Sequence, residues 1–372
     1  MKTSVHITRE SRWKQFKRDR GVLFAFSWLI LIGLTALLAD VLAHNPEKGW
    51  APVPYGTEIT YGHKNIPPFG PHNHYLGTDY AGHDLLAGLI HGARISLSVG
   101  LAAVSIAALI GILLGVIAGY WGDDRLYMRR GVMLSMLPAM FFAWFYGFRV
   151  RRYEWEDAVD GNLEKLPVEI AISIGIAILT VFLWLLVGKI ISYKGYMAKK
   201  ITFPADSLIM RAIEILNSLP LLLLIISLSA IFERSLGFIT IMIGLLGWTG
   251  LARLIRAETL RVIRMGYIES GKALGLGAWR IVFRHVVPNA IPPALIVIAF
   301  GIGNAIIAES ALSFLNLVDG TVTWGSLLSS TRNNFSIWWV GVFPGLAIFL
   351  TVLSFNLIGE KLRDIFDPHL PS

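Results

Sequence analysis

The chain has 372 residues, of which 55% are hydrophobic and 16% charged, and its mean hydropathy is +0.61. Soluble domains carry about a quarter charged residues, so this composition excludes an ordinary soluble fold and predicts an integral membrane protein. The net charge of +8 is concentrated at the amino terminus and in one internal loop, which predicts membrane orientation rather than a nucleic-acid partner. The absence of cysteine excludes disulfides and thiolate chemistry.

The first twenty residues are polar and carry seven Lys or Arg, whereas residues 21–43 are apolar. An apolar stretch of this length spans about 30 Å of hydrocarbon at about 1.5 Å per residue. Because basic segments stay inside, we predict a cytoplasmic basic tail over residues 1–20 and a first transmembrane span over 21–43. A signal peptide is the alternative, but its apolar core usually has only about 7–15 residues.

Residues 44–93 form a polar loop, predicted to be extracytoplasmic, that holds six of the nine histidines. Neutral imidazole is a common metal ligand, but the spacing is no strong ligand pattern and the carboxylates are scattered. We therefore predict solvated histidines and no metal site; these are His44, His63, His72, His74, His83 and His91. In the same loop, Thr78 and Asp79 are predicted to cap backbone amides in a turn.

Seven further apolar segments follow the loop and, with the first span, predict eight spans with both termini in the cytoplasm. They cover residues 94–120, 131–148, 168–191, 207–232, 236–254, 292–314 and 337–358. Pro220 is predicted to kink the fifth span because proline lacks a backbone donor. Arg211 and Glu214 are predicted to pair on one helix face. Glu309 lies towards the outer end of the seventh span, where we predict contact with a partner subunit or water rather than with a solute.

A basic loop, residues 253–291, separates the sixth and seventh spans. Placing its Lys and Arg side chains inside a bilayer would cost free energy, and basic loops lie on the inner side. The loop is therefore predicted to be cytoplasmic. They are Arg253, Arg256, Arg261, Arg264, Lys272, Arg280 and Arg284.

Within this loop the pattern predicts two short helices, over residues 268–274 and 278–287. Gly275 and Gly277 bracket the turn between them. Pro288 is predicted to end the second helix, and Asn289 to cap the next one. Two short helices that project from a membrane can insert into a groove of a partner protein. An amphipathic loop that lies on the lipid surface is the alternative.

The loop resembles the cytoplasmic coupling loop, or EAA motif, of ATP-binding-cassette (ABC) importer permeases of the dipeptide, oligopeptide and nickel branch. Glu269 matches the glutamate of that motif and Gly275 its glycine, while Ser270 and Gly271 stand in place of two alanines. The resemblance implies that the loop contacts an ATPase subunit. The residues implied at that contact are Glu269, Ser270, Gly271, Ala273, Leu274, Gly275, Arg284, His285 and Pro288.

Other stretches resemble the same family, so the resemblance covers about residues 75–122 and 204–368. They are the His-x-LGTD stretch from His74 with the Gly-Ala-Arg that ends at Arg94, the run ESALSFL from Glu309, Trp324-Gly325, and the segment that begins at Asn356. The resemblance implies an all-α fold, the type I ABC importer transmembrane domain, over residues 94–372.

Residues 130–200 interrupt this resemblance. The two apolar segments inside them predict an inserted transmembrane hairpin, which leaves the rest of the topology unchanged. Lys189 to Lys200 would then be cytoplasmic, as expected, but Arg149, Arg151 and Arg152 would lie outside, against the positive-inside rule. An interfacial or re-entrant segment is the alternative.

By resemblance, the chain is a multi-pass permease of the bacterial inner membrane that forms half of a translocation pathway for peptides. The implied partners are the lipid bilayer, a second homologous permease, two cytoplasmic ABC ATPase subunits and an extracytoplasmic solute-binding protein, with no nucleic acid. No catalytic residue and no cofactor are predicted, and the chain has no phosphate loop, so ATP hydrolysis is expected in separate subunits. The pattern does not indicate which residues contact the solute.

Three other functions are the alternatives. A proton-driven secondary transporter would need a series of buried acids or histidines across the spans, which are nearly free of them. A membrane-embedded hydrolase would need a nucleophile near a base, but Ser310 and His285 lie on opposite sides of the membrane in this topology. An ABC permease for nickel chelates or peptide antibiotics would have the same fold.

Overall fold

The computed structural model describes residues 19–43, 64–70, 74–155, 166–193, 195–229, 235–318, 320–333 and 336–366. Most of the predicted basic tail and the histidines His44, His63 and His72 therefore lie outside the described residues. The described residues divide into two compact units, a main unit from Met1–Tyr120 and Met210–Ser372 and an inserted unit, Trp121–Ile209.

Helices dominate both units, which confirms the all-α prediction. The main unit contains α1 (Arg20–Leu37), α2 (Ala39–Leu42) and α3 (Leu85–Trp121, whose last residue begins the inserted unit). The inserted unit contains β1 (Tyr127–Arg129), α4 (Arg130–Trp144), a π-helical turn (Phe145–Arg149), α5 (Leu166–Ile191) and β2 (Lys200–Thr202). The main unit continues with α6 (Ala205–Asn217, whose first five residues belong to the inserted unit), α7 (Leu221–Ser229), α8 (Leu236–Gly247), α9 (Thr249–Val262), α10 (Gly266–Ala273), α11 (Ala278–Ile281), a second π-helical turn (Val282–Val286), α12 (Val287–Phe314), α13 (Trp324–Ser329) and α14 (Trp338–Phe366).

Each of the eight predicted spans corresponds to a helix or to a pair of helices. Seven helices among the described residues are long and apolar enough to cross a membrane, and the pair α6–α7 makes an eighth if it is one span. That pair is broken rather than kinked, because the two helix axes differ by 77° around Pro220. The helix α3 begins at Leu85, ahead of the predicted start at residue 94.

A row of glycines fixes α3 against α9. A Cβ added at Gly115 would lie 2.6 Å from the carbonyl oxygen of Ala252, and one at Gly119 would lie 2.8 Å from that of Arg256. Gly111 approaches Trp248 and Leu251 in the same way. Because lipid gives no hydrophobic drive for helix association, such close backbone contact is a main source of packing energy in a membrane.

Arg94 clamps the end of α1 to α3. Its guanidinium donates two hydrogen bonds to the Asp40 carboxylate, at 2.8 and 3.0 Å, and its Nε donates to the carbonyl oxygen of Ala36 at 2.9 Å. The last carbonyls of a helix have no partner within the helix, so a guanidinium there satisfies them and favours the negative end of the helix dipole.

Glu309 is fully buried between α3, α12 and α13. Ser313 Oγ donates to its Oε1 at 2.7 Å, and Ser96 Oγ on α3 donates to its Oε2 at 3.0 Å. The same Ser96 Oγ accepts a hydrogen bond from the backbone N–H of Trp324, the first residue of α13. The prediction that Glu309 pairs with a partner subunit or water is therefore wrong, because hydroxyls of its own chain satisfy both carboxylate oxygens. We call this group, Ser96, Glu309, Ser313 and Trp324, the hydroxyl cluster.

The loop before α3 is compact and confirms the predicted turn. Thr78 Oγ1 accepts from the N–H of Ile66, and Asp79 Oδ1 accepts from the N–H groups of Ala81 and His83, all at 2.8–2.9 Å. The side chain of His83 also lies 3.0 Å from Asp79 Oδ2, and this hydrogen bond raises the pKa of His83 above its ordinary value.

His74 contradicts the prediction of solvated histidines. It is buried, and its Nδ1 lies 2.8 Å from Oδ2 of Asp84, while Oδ1 of the same carboxylate accepts from the N–H of Ala87 in the first turn of α3. The indole of Trp339 donates to the carbonyl of Thr78, so the loop is tied to α14 as well. No cluster of metal-ligating side chains occurs among the described residues.

The inserted unit is a hairpin of two antiparallel helices closed by two short strands. Tyr127 pairs with Thr202 and Arg129 with Lys200 in the antiparallel ladder of β1 and β2. The helices α4 and α5 approach closely at small residues, since a Cβ at Gly188 would lie 2.9 Å from Val132 Cα. The helix α4 together with the π-helical turn, Arg130–Arg149, and the part Ala171–Ile191 of α5 are each long and apolar enough to span a membrane.

The far end of this hairpin carries aromatic residues and an ion pair. Phe142 stacks on Trp184, and the indole of Trp155 donates to Ser173 Oγ at 3.0 Å. Arg151 forms an ion pair with Glu169. A paired arginine costs less to hold near hydrocarbon than a free one, which gives a physical reason why this end tolerates basic residues.

We expect Glu309→Ala to destabilise the main unit. The change leaves the Ser96 and Ser313 hydroxyls without their acceptor, at about 1–3 kcal/mol for each buried group left unpaired. Thermal unfolding of the purified protein in detergent measures the effect, and Glu360→Ala, on an exposed position of α14, is the control. An equal shift of the unfolding midpoint in both variants would contradict a structural role of the hydroxyl cluster.

We expect the inserted unit to be dispensable for assembly. Since Arg129 and Lys200 are paired across the ladder, residues 130–199 can be deleted and the ends joined by Asn-Gly, the sequence of a tight hairpin turn. The shortened chain should assemble and retain part of its transport, measured by gel filtration of the complex and by ATP-dependent uptake. A normally assembled complex without any uptake would show that the hairpin takes part in transport.

Candidate functional site

The predicted coupling loop is built around α10, a helix of two turns between α9 and α11. Its apolar face is anchored by Ile268, which is 1% exposed, while Glu269 and Ser270 point away from the chain. Glu269 lies in the first turn, where a carboxylate is favoured by the positive end of the helix dipole. It makes no ion pair with any described residue. An exposed, unpaired carboxylate is therefore available to a partner protein.

Gly275 ends α10 in a Schellman motif. The N–H of Leu276 donates to the carbonyl of Gly271 at 3.1 Å, and the N–H of Gly275 donates to that of Lys272 at 3.0 Å. Gly275 has φ +78, the left-handed conformation that a side chain disfavours, so the prediction of a glycine-dependent turn is confirmed there. Gly277 has an ordinary φ of −64 and caps the next helix.

Gly271, which stands where the family has alanine, is buried beneath Leu276. A Cβ at this position would lie 3.1 Å from Leu276 Cδ1, at the far end of a flexible side chain. The leucine therefore fills the space that an alanine methyl group would take.

Tyr267 and Asn289 brace α10 against the start of α12. Asn289 Nδ2 donates to the backbone carbonyl of His285 at 2.6 Å and to the Tyr267 hydroxyl at 3.3 Å. The rings of Tyr267 and His285 have centroids 6.0 Å apart. His285 thus lies inside the loop, against Tyr267. We call these three residues the brace.

The prediction that Pro288 ends a helix is wrong. One helix runs without interruption from Ala278 to Phe314, and Pro288 lies within its α12 part. Proline is normally excluded from a helix interior because it lacks an N–H and its ring clashes with the preceding turn. Here the π-helical turn (Val282–Val286) widens the backbone directly before the proline. For the same reason Asn289 does not cap a new helix, and its side chain serves the brace.

The nine predicted site residues separate into two groups. Seven are exposed and share the surface of the loop: Glu269, Ser270, Ala273, Leu274, Gly275, Arg284 and Pro288. Gly271 is buried and His285 is half-buried, so these two shape the loop from within. Ser310 lies about 37 Å along the same helix from His285, at 1.5 Å per residue, so the two cannot act as nucleophile and base.

Sequence reasoning missed an aromatic pair on this surface. Trp279 and Phe283 stack with ring centroids 5.7 Å apart, and both are more than 60% exposed, as is Leu274. Their spacing of four residues places both side chains on one helix face, and this spacing could have predicted the pair from the sequence. The loop therefore presents apolar anchors beside Glu269 and Arg284.

Comparisons with known proteins agree with this architecture. Residues 192–371 match the family described as "Binding-protein-dependent transport system inner membrane component". The glutathione transport system permease protein GsiD of Pectobacterium atrosepticum is 27% identical over 372 residues, covering 99% of this chain and 94% of the relative. The di/tripeptide transport system permease protein DppC of Pseudomonas aeruginosa is 28% identical, covering 96% and 91%. The dipeptide transport system permease protein DppC of Escherichia coli K12 is 40% identical over 166 residues, 44% of this chain and 55% of the relative.

The chain is therefore a multi-pass permease subunit of a binding-protein-dependent ABC importer of the bacterial inner membrane. The two relatives that match almost the whole chain are named for the transport of glutathione and of di- and tripeptides.

We expect Gly275→Ala to loosen the carboxyl end of α10. A side chain at φ +78 costs about 1–2 kcal/mol although no atom obstructs it, whereas Gly277→Ala is unstrained and serves as the matched control. Hydrogen exchange of the Leu276 amide should accelerate about 5- to 30-fold in Gly275→Ala. The same exchange rate in both variants would contradict the strained turn.

Proposed function

We propose that this chain forms half of a translocation pathway for peptides, or for a related solute, and that α10 couples this pathway to ATP hydrolysis. The other half is a second homologous permease, and each of two cytoplasmic ATPase subunits binds one coupling loop. An extracytoplasmic solute-binding protein delivers the solute. The names of the relatives, which refer to glutathione and to di- and tripeptides, support a peptide as the solute.

The observation that carries the proposal is the construction of the coupling loop. A short helix with an unpaired carboxylate and an exposed leucine projects from the chain, yet its inner face is anchored by Ile268 and the brace. A surface that is exposed but rigid suits a groove in a partner protein, because little conformational entropy is lost on docking.

The loop is also connected mechanically to the spans. It starts where α9 ends, and α9 is fixed to α3 along the glycine row. It ends in the helix that becomes α12. A displacement of α10 by an ATPase subunit is therefore passed to at least two spans, which supports alternating access driven by the ATPase.

A proton-driven carrier is the second class of function. Among the described residues of the spans, Glu309 is the buried acid that such a mechanism could use, and its oxygens accept from Ser96 and Ser313 of the same chain. That arrangement supports a structural role rather than a proton relay. A permease for nickel chelates or peptide antibiotics would share every feature of the coupling loop.

The test of the whole function is to purify the complex with its partners and reconstitute it in vesicles. Mass spectrometry of the ligand held by its solute-binding protein, followed by ATP-dependent uptake of that ligand, identifies the solute class. Uptake that proceeds without ATP but follows a proton gradient would refute the proposal.

We expect Glu269→Ala to weaken ATPase retention and Glu269→Lys to weaken it further. A charge-assisted contact contributes about 1.5–3 kcal/mol, so loss of the carboxylate should raise the Kd for the ATPase about 10- to 150-fold. Glu269→Gln keeps the shape and separates charge from size. Pull-down of the ATPase and coupled ATP hydrolysis are the measurements, with membrane insertion checked for each variant. Unchanged retention in Glu269→Lys would favour a loop that lies on the lipid surface instead.

A further inference from the structure

We propose that a cavity at the break between α6 and α7 is where this subunit contacts the transported peptide, an inference that rests on the function proposed above. The cavity has a volume of about 490 Å³ and lies entirely within the main unit, among α3, α6, α7, α8, α9 and α12. Its volume is within the range of about 300–1,000 Å³ that small-molecule sites have.

The broken span is the first observation. The helix α6 ends at Asn217, α7 begins at Leu221, and the two axes differ by 77°. Leu219 lies in the break and lines the cavity. Non-helical backbone at membrane depth is tolerated only where it is buried in protein or lines a water-filled cavity. Discontinuous helices mark the solute sites of other transporters for this reason.

The polar lining is the second observation. Asn217, Thr249 and Asn304 line a wall that is otherwise apolar or glycine, and Thr249 Oγ1 donates to Asn217 Oδ1 at 3.0 Å. Asn304 lies midway along α12, is exposed, and makes no side-chain hydrogen bond to any described residue. An unpaired amide is costly against lipid, and because Asn304 lines the cavity, its amide group is available there to water or to a ligand.

The chemistry of the lining indicates what it recognises. A carboxamide has two donor hydrogens and an acceptor oxygen, so Asn304 can pair with both the C=O and the N–H of a peptide group. No charged side chain lines the cavity, so neither peptide terminus is held there by an ion pair. The site therefore binds the uncharged peptide groups and small apolar side chains of the solute. Binding of this kind tolerates different sequences and is weak enough to release the solute.

Cysteine labelling tests the contact directly, because the chain has no cysteine of its own. In the reconstituted complex, Asn304→Cys should react with a charged, membrane-impermeant thiosulfonate reagent. The peptide that the wild-type complex transports, at ten times its Kd, should slow this reaction about tenfold. Ile307→Cys is the matched control, since Ile307 is exposed on the same helix but does not line the cavity, and the peptide should not slow its reaction.

A second variant measures transport. Asn304→Leu keeps the branched shape and the number of heavy atoms but removes both hydrogen bonds to the peptide group, so peptide uptake should fall at least about 5-fold, normalised to the ATPase that copurifies. Suppose that the wild-type complex transports the peptide, but the peptide does not slow the labelling of Asn304→Cys and Asn304→Leu shows unchanged uptake. Those results would overturn this inference and leave the proposed function standing. A wild-type complex that transports no peptide would overturn the proposed function and this inference with it.

Discussion

Close backbone contact between α3 and α9 is the constraint on which the rest of the main unit depends. In hydrocarbon, helices gain little from excluding lipid, so their association relies on packing at short range. Gly115 and Gly119 let α3 lie directly on the carbonyls of Ala252 and Arg256. The helix α10 begins at Gly266, ten residues after Arg256, so its position depends on the glycine row as well as on its own few residues.

Three of the sequence stretches that resemble the permease family meet at the opposite end of the helices. Gly92, just before Arg94, lies against Trp324, whose N–H donates to Ser96, and Ser96 donates to Glu309. Gly325 in turn approaches the backbone of Ser310. Residues separated by more than 200 positions therefore form one packed group. Each of these short, scattered motifs therefore supplies one member of the same contact.

The sequence alone predicted the features that depend on neighbouring residues. It did not predict contacts between residues that are far apart along the chain. Apolar length predicted the seven helices that are long enough to cross a membrane and the bent pair α6–α7, and Gly275 predicted its turn, because both properties belong to a few consecutive residues. The partners of Glu309 and His74 could not be read this way, since Ser96 precedes Glu309 by 213 positions and the burial of His74 depends on a loop packed against α14. The prediction that Pro288 ends a helix was wrong because the rules for proline assume α-helical geometry. The π-helical turn before Pro288 changes that geometry.

One continuous helix from Ala278 to Phe314 connects the coupling loop to the hydroxyl cluster. It has 37 residues and a length of about 55 Å at 1.5 Å per residue. The brace holds one end and the hydroxyl cluster lies near the other, so a tilt of about 5° around the midpoint moves each end by roughly 2.4 Å in opposite directions. A displacement of that size equals most of a hydrogen-bond length. If an ATPase subunit docks on the loop as proposed, its movement can alter the hydroxyl cluster at the other end of this helix without unfolding any span between them.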